Sequence, residues 1–382
     1  MTFPFVELGE VAKLDRQSLS ADQIKEGAQY LGLEHIESGG EILGSVEVEA
    51  GELKSSKFQF SDEHVLYGKL RPYLAKIALP SFSGICSTDI IPIRPGSKLD
   101  RRYLAYFLRS EKMVDYANSR ASGANLPRLS PKQLAKLPVP LPPLPEQKRI
   151  AKILDAADAL RAKRRESLAQ LDALLQSTFL EMFGDPVENL KGWATSRIDS
   201  LSRLVRGSSP RPKGDPAYYG GEVPRLMVGD ITRDGFWVTP RIDSLTFEGA
   251  KKSRPVPRGT VVMAVSGDVG VVSQTQVDCC VHDGFVAFLD IDRERIESVF
   301  IKFQLHLLKL THERRKAGAI FQNLTTKDIK SMVIMCPPLN LQRKFVEFVD
   351  ALESHQQLLK THLDEHEALF ASLQQCAFAG QL

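Results

Sequence analysis

The segment 142–150 reads PPLPEQKRI, and the segment 337–345, 195 positions on, reads PPLNLQRKF. The same shift pairs Gly123 with Gly318, Leu129 with Leu324, Ser130 with Thr325 and Leu134 with Ile329. It also pairs Leu144 with Leu339, Gln147 with Gln342, Lys148 with Arg343 and Asp155 with Asp350. One Pro-Pro match would mean little in a chain with 22 prolines, but so many agreements in one register mark an internal duplication.

Each proline stretch suits the start of a helix, where the missing N–H would be unpaired anyway. Neither proline nor glycine occurs in 146–183 or in 340–379. Helices of this length reach ~57 Å at ~1.5 Å per residue. Their apolar positions recur in heptads. In the first helix, Ile150, Ala157, Arg164, Leu171 and Thr178 form one seam, and Leu154, Arg161, Leu168, Leu175 and Met182 the other. In the second, Phe345, Leu352, Leu359, His366 and Leu373 run beside Val349, Gln356, Leu363, Phe370 and Ala377. Both stripes suit a helix partner. An antiparallel pair would set the polar middles (Arg161, Arg164, Gln356) against each other.

The segments before each helix mix short apolar runs with turn signals. Strands are expected around 65–67, 90–93, 260–265 and 284–289, and helices over 101–116 and 296–315. The fold class is therefore α+β. Two globular domains each precede a long helix, and the helices pair as an antiparallel coiled coil with pseudo-two-fold symmetry. The divisions are 1–145, 146–183, 184–339 and 340–382.

The 382 residues carry a net charge of +3, unevenly spread. From Lys69 to Lys136 there are 13 basic and 4 acidic side chains, a bias that suits a polyanion. No apolar run approaches the ~20 residues that span a bilayer. The five cysteines read as reduced thiols of a cytoplasmic protein. Phosphate-loop, dinucleotide-binding, zinc-protease and nucleophile-elbow motifs are absent. No adenine-methyltransferase motif is present, and Asp185-Pro186-Val187 is a turn. His362 and His366 lack a third ligand, so no metal site and no catalytic residue is assigned.

The duplicated Pro-Pro-Leu-x-x-Gln turns, each opening a long helix, resemble the specificity subunit of type I restriction–modification enzymes. Residues 66–73 (LYGKLRPY), followed by 84–89 (GICSTD), resemble a stretch seen in the family's target-recognition domains. The second copy departs from the pattern, with Asn340-Leu341 in place of Pro145-Glu146 and Val262 to Gly267 in place of the Lys-Leu-Arg-Pro run. The resemblance implies a non-catalytic subunit in which each domain reads one half of a split double-stranded DNA site. The helices would set the spacing and dock two modification (M) subunits that methylate adenine. Restriction (R) subunits complete the assembly. S-adenosylmethionine, ATP and Mg2+ belong to those partners, and no cofactor belongs to this chain.

Candidate DNA contacts in the first domain are Lys69, Arg71, Tyr73, Ser87, Thr88, Arg120, Asn125 and Arg128. In the second they are Arg206, Ser208, Ser209, Arg211 and Lys213, on a turn-rich loop expected to be flexible enough to enter a groove, together with Gln322 and Asn323. Candidates for helix pairing or partner docking are Ile150, Leu154, Leu168, Leu171, Leu175, Phe345, Val349, Leu352, Leu359, Leu363 and Phe370. The competing reading is a protein–protein scaffold carrying two adaptor domains. The basic bias and the Arg206 loop argue against it.

Overall fold

The computed structural model describes residues 3–49, 51–314 and 324–382, and the chain divides into two compact units. The first comprises Met1–Glu166 with Leu359–Leu382, and the second Ser167–Leu358. The long helices run Leu144–Phe183 and Leu339–Ala379, so each is shared between the units instead of standing apart from both.

In the first unit, Ala12–Leu14, Ile90–Pro95, Val65–Gly68 and Ile77–Ala78 form an antiparallel four-stranded sheet in that order. Val65, Leu66, Tyr67, Ile90, Ile91 and Ile93 are all buried, which explains their unbroken apolar run. A five-stranded sheet has the order Ser18–Leu19, Lys57–Phe60, Gly84–Cys86, Gln29–Leu31, Val46–Glu47. Gln29–Leu31 lies parallel to Gly84–Cys86. A short pair, Phe5–Glu7 with Pro138–Pro140, joins the start of the chain to the approach to the helix.

The second unit repeats this plan. Its five-stranded sheet has the order Arg203–Arg206, Phe285–Leu289, Val261–Ala264, Val272–Thr275, Trp237–Val238. Its four-stranded sheet has the order Asp243–Leu245, Tyr219–Leu226, Cys279–Val281, Pro255–Val256, with Tyr219–Leu226 parallel to Cys279–Val281. Thr195–Arg197 pairs with Val333–Met335 as Phe5–Glu7 pairs with Pro138–Pro140. The helix expected over 101–116 is two helices, Arg101–Arg109 and Glu111–Asn118. Ser110 takes an extended backbone between them, and its hydroxyl donates to the Phe107 carbonyl (2.6 Å). The counterpart, Ser298–Arg314, is continuous.

The repeated glutamine explains the motif that begins each long helix. Gln147 is fully buried, and its Oε1 accepts from the Asp100 N–H (2.8 Å). Its Nε2 donates to the carbonyls of Lys98 (2.9 Å) and Pro142 (2.8 Å). Gln342, equally buried, accepts from the Glu297 N–H (2.9 Å) and donates to the carbonyls of Arg295 (3.0 Å) and Pro337 (2.7 Å). Each glutamine thus ties the proline turn to the loop that starts the preceding helix. In both, each N–H donates and the oxygen accepts, so no polar atom of the buried amide lacks a partner.

Within each unit the helices are antiparallel. In the first, Arg149 donates to the Leu382 carbonyl (2.8 Å), and Arg165 pairs with Glu367. In the second, Gln356 donates to Asp172 (2.8 Å), and Phe345 packs edge-on against Phe179. Ile150, Leu154, Leu175, Phe345, Val349, Leu359 and Phe370 are buried, whereas Leu168, Leu171, Leu352 and Leu363 are half-buried. Arg161 departs from the expected polar layer. Its guanidinium stacks over the Phe370 ring (3.8 Å) and pairs with Asp158. A guanidinium can stack on an aromatic face and keep an ion pair at its edge, so the position is served by both contacts.

Beside the second unit's helix layer lies an aromatic cluster that includes Phe179, Phe183, Phe300, Phe303 and Phe345. At its margin, Lys302 is fully buried, its Nζ 3.0 Å from the Trp237 ring centre. Burial pushes its ammonium well below the usual lysine range. His306 stands edge-on to Phe236, and burial, aided by Lys309 and Lys302, lowers it to about 4.

Candidate nucleic-acid interface

In the first unit, three loops meet at one end of the four-stranded sheet. Residues 69–71 leave the strand Val65–Gly68, residues 87–89 enter the strand Ile90–Pro95, and residues 122–128 close on themselves. The Ser122 N–H donates to the Arg128 carbonyl (3.0 Å), and the Arg128 N–H donates back to Ser122 (2.8 Å). Gly123 takes φ +109° in this turn, and a Cβ there would lie 2.9 Å from the Leu126 carbonyl oxygen, so the position demands glycine. The loop is joined to 69–71 by Leu129 N–H to Lys69 O (2.9 Å) and Arg71 N–H to Pro127 O (2.7 Å).

With the Lys69 N–H donating to Asp89 O (2.9 Å), these bonds bring together the loops that carry Lys69, Ser87, Thr88 and Arg128, all expected from the sequence. Asp89 lies between two of the cations, 3.6 Å from Lys69 and 3.5 Å from Arg128. Arg71 is exposed and holds a left-handed backbone (φ 51°, ψ 67°), a conformation costing ~1–2 kcal/mol in a side-chain-bearing residue. Such local strain, held in place by bonds on both sides, aims an exposed guanidinium. Tyr73 is exposed on the adjoining turn, and Asn125 is exposed at the tip of the 122–128 loop. Arg120 is differently engaged: it stacks 3.4 Å over Tyr116 and bonds to Ser119.

In the second unit, the loop 206–213 is pinned rather than free, which corrects the sequence expectation. Gly207 N–H donates to Phe285 O (2.9 Å), Ser208 N–H to Val281 O (3.0 Å) and Tyr219 Oη to Pro210 O (2.8 Å). Ser208 Oγ donates to Lys252 O and Ser209 Oγ to Asp283, so both hydroxyls serve the loop's own framework. A Cβ on Gly207 would fall 2.0 Å from the His282 carbonyl oxygen, so only glycine lets the loop lie this close. Arg206, Arg211 and Lys213 keep exposed side chains. Gln322 and Asn323 lie outside the described residues.

The sequence reading missed Asp89, Arg225, Asp243, His282 and Asp283. A usable signal existed for two of them: the 195-residue shift carries Ser87 and Thr88 onto His282 and Asp283. Burial alone would raise the Asp283 carboxyl, but Ser209, His282 and Arg211 outweigh it and hold it below the usual range. Burial, with Arg225 and Lys213, keeps His282 below the ordinary imidazole value. The second site therefore presents exposed cations on a frame braced by the Asp283 carboxylate. Cys86 and Cys279 are pushed up to about 12 by burial, which leaves them inert as nucleophiles near neutrality. No helix among the described residues is long and apolar enough to cross a membrane.

Comparison with known proteins adds an independent line. The family profile described as the type I restriction modification DNA specificity domain matches residues 2–171 and 190–367. The chain is similar to the type I restriction enzyme EcoDI specificity subunit of Escherichia coli, with 33% identity over 152 residues. That match covers 39% of this chain and 33% of the relative's length. A putative type I restriction enzyme MjaX specificity subunit of Methanocaldococcus jannaschii is 25% identical over 338 residues, covering 84% of this chain and 76% of the relative. In fold, the chain is similar to the type I restriction–modification S subunit from M. genitalium, with TM-score 0.55 and 14% identity, covering 99% of this chain and 96% of that one. A structure from work on the assembly and conformational transition of the type I R-M system gives TM-score 0.56 at 22% identity, covering 100% of this chain and 98% of that one. The duplicated frame, the paired sites and these matches lead to one conclusion: the chain belongs to the type I restriction–modification DNA specificity family.

Proposed function

We propose that this chain supplies DNA sequence specificity to a type I restriction–modification complex, each unit reading one half of a split site. The observation that carries the reading is the assembly of Lys69, Arg71 and Arg128 at one sheet end, with the cationic loop 206–213 in the second copy. Lys69, Arg71, Arg128, Arg206, Arg211 and Lys213 serve as phosphate and guanine contacts, and Asn125 suits adenine. Two modification subunits dock on the chain and methylate adenine with S-adenosylmethionine. Restriction subunits using ATP and Mg2+ join them, and the complex works in the cytoplasm. This chain itself contributes binding and no chemical step.

The test is duplex binding by the chain with its modification subunit. Charge reversal at Arg206, Arg211 and Lys213 together is expected to weaken affinity and to flatten its dependence on salt by about one slope unit per lost contact. Unchanged affinity and unchanged methylation would favour the scaffold reading.

A further inference from the structure

The second unit holds a buried guanidinium where the first has a tyrosine, and we propose that Arg225 is a positioning residue that locks the loop 206–213 for sequence reading. The inference rests on the DNA-reading assignment above. Arg225 lies in the strand Tyr219–Leu226 opposite Cys280, as Tyr30 lies opposite Ile85 in the first unit. It is 2% exposed, so it cannot itself touch a duplex. Its Nη1 is ion-paired with Asp243, and its Nη2 donates to Ser209 Oγ (2.6 Å). Ser209 in turn donates to Asp283 Oδ1 (3.0 Å). The Asp283 carbonyl accepts from Arg206 Nε (3.0 Å), and its carboxylate faces Arg211 at 3.7 Å.

A chain of contacts thus runs from the sheet interior to two exposed cations. A buried ion pair adds little stability over a packed apolar pair of the same volume. What it does add is direction, since a guanidinium fixes its partners in one plane. Tyr30 carries no such charge, so among the described residues the first unit has no guanidinium lock at the equivalent strand position. Relaxing it should loosen the reading of one half-site and leave the other intact.

The experiment uses the full chain with its modification subunit. Methylated adenines are mapped in a host expressing the parent chain, Arg225→Lys or Ser209→Ala, and binding is then measured on duplexes carrying the parent's motif. In both variants one half of the motif is expected to become degenerate. Discrimination against single-base changes in that half should fall about tenfold, within the usual cost of a mismatch. The other half, and the slope of log affinity against log salt, should stay unchanged because the phosphate contacts remain. Equal relaxation of both halves, an unaltered motif or a flatter salt slope overturns the proposal. If Arg225→Lys fails to fold, Ser209→Ala, which leaves the Arg225–Asp243 pair in place, decides alone. A parent chain yielding no split motif instead overturns the DNA-reading assignment itself.

Discussion

The two units agree most closely where nothing is exposed and differ most where cations reach the surface. Gln147 and Gln342 make the same three bonds to equivalent atoms. At the candidate interfaces the first unit spreads Lys69 and Arg128 around Asp89, whereas the second pairs the buried Arg225 with the partly exposed Asp243 behind its loop. The duplication has kept the joint that hands each globular part to a helix, and it has rebuilt the surfaces. That pattern suits a protein whose two copies do the same mechanical work on different sequences.

The largest expected effect separates the helix layers. Phe345 packs directly against Phe179, Phe183 and Phe303, whereas its counterpart Ile150 lies in the first unit's mixed core of aliphatic and aromatic residues. Phe345→Ala should cost about 3–5 kcal/mol in chemical denaturation, and Ile150→Ala, the smaller truncation, less within a range of about 2–5 kcal/mol. A reversed order would break the comparison. Next come the glutamines. Gln147→Leu and Gln342→Leu each remove the partner of one N–H and two carbonyls, and water reaching the partly exposed loop residues Lys98, Asp100, Arg295 and Glu297 should hold the net loss to about 1–3 kcal/mol. Equal losses confirm one shared joint, and a loss confined to one copy refutes it.

A smaller effect follows from His306, whose folded value of about 4 lies below the ordinary 6.5. Between those values the unfolded chain binds a proton that the folded chain refuses. Its contribution is therefore intact above pH 6.5 and declines as pH falls through 4. A melting series from pH 7 to 4 should show this loss, and His306→Phe should reduce it. Smallest is the exposed Arg165–Glu367 pair, with side chains 52% and 47% accessible. A double-mutant cycle there should return less than ~1 kcal/mol.

Much of this organisation is legible in the sequence, because duplication turns single residues into pairs. The proline turns, the glutamines and both heptad seams can be read in one register, and no seam residue is fully exposed. Phe179 and Phe183 escape the heptad reading, because they lie beside the seam positions and bridge the seam residue Phe345 to Phe300. Arg225 escapes for a different reason. One arginine in a strand has no local pattern, and its role depends on Asp243 and Ser209, which approach only through tertiary structure. The 206–213 loop looked free because glycine, serine and proline usually mark turns, yet here Gly207 allows the close packing that fixes it.

The sharing of each helix between units bears on how the protein is made. The first unit's core includes Phe370 and Ala377, with Phe378 packed against it. A ribosome emits these residues only after the whole second unit. The first unit must therefore wait, partly uncovered, through most of translation, so chains arrested near residue 358 should be prime substrates for chaperones and proteases.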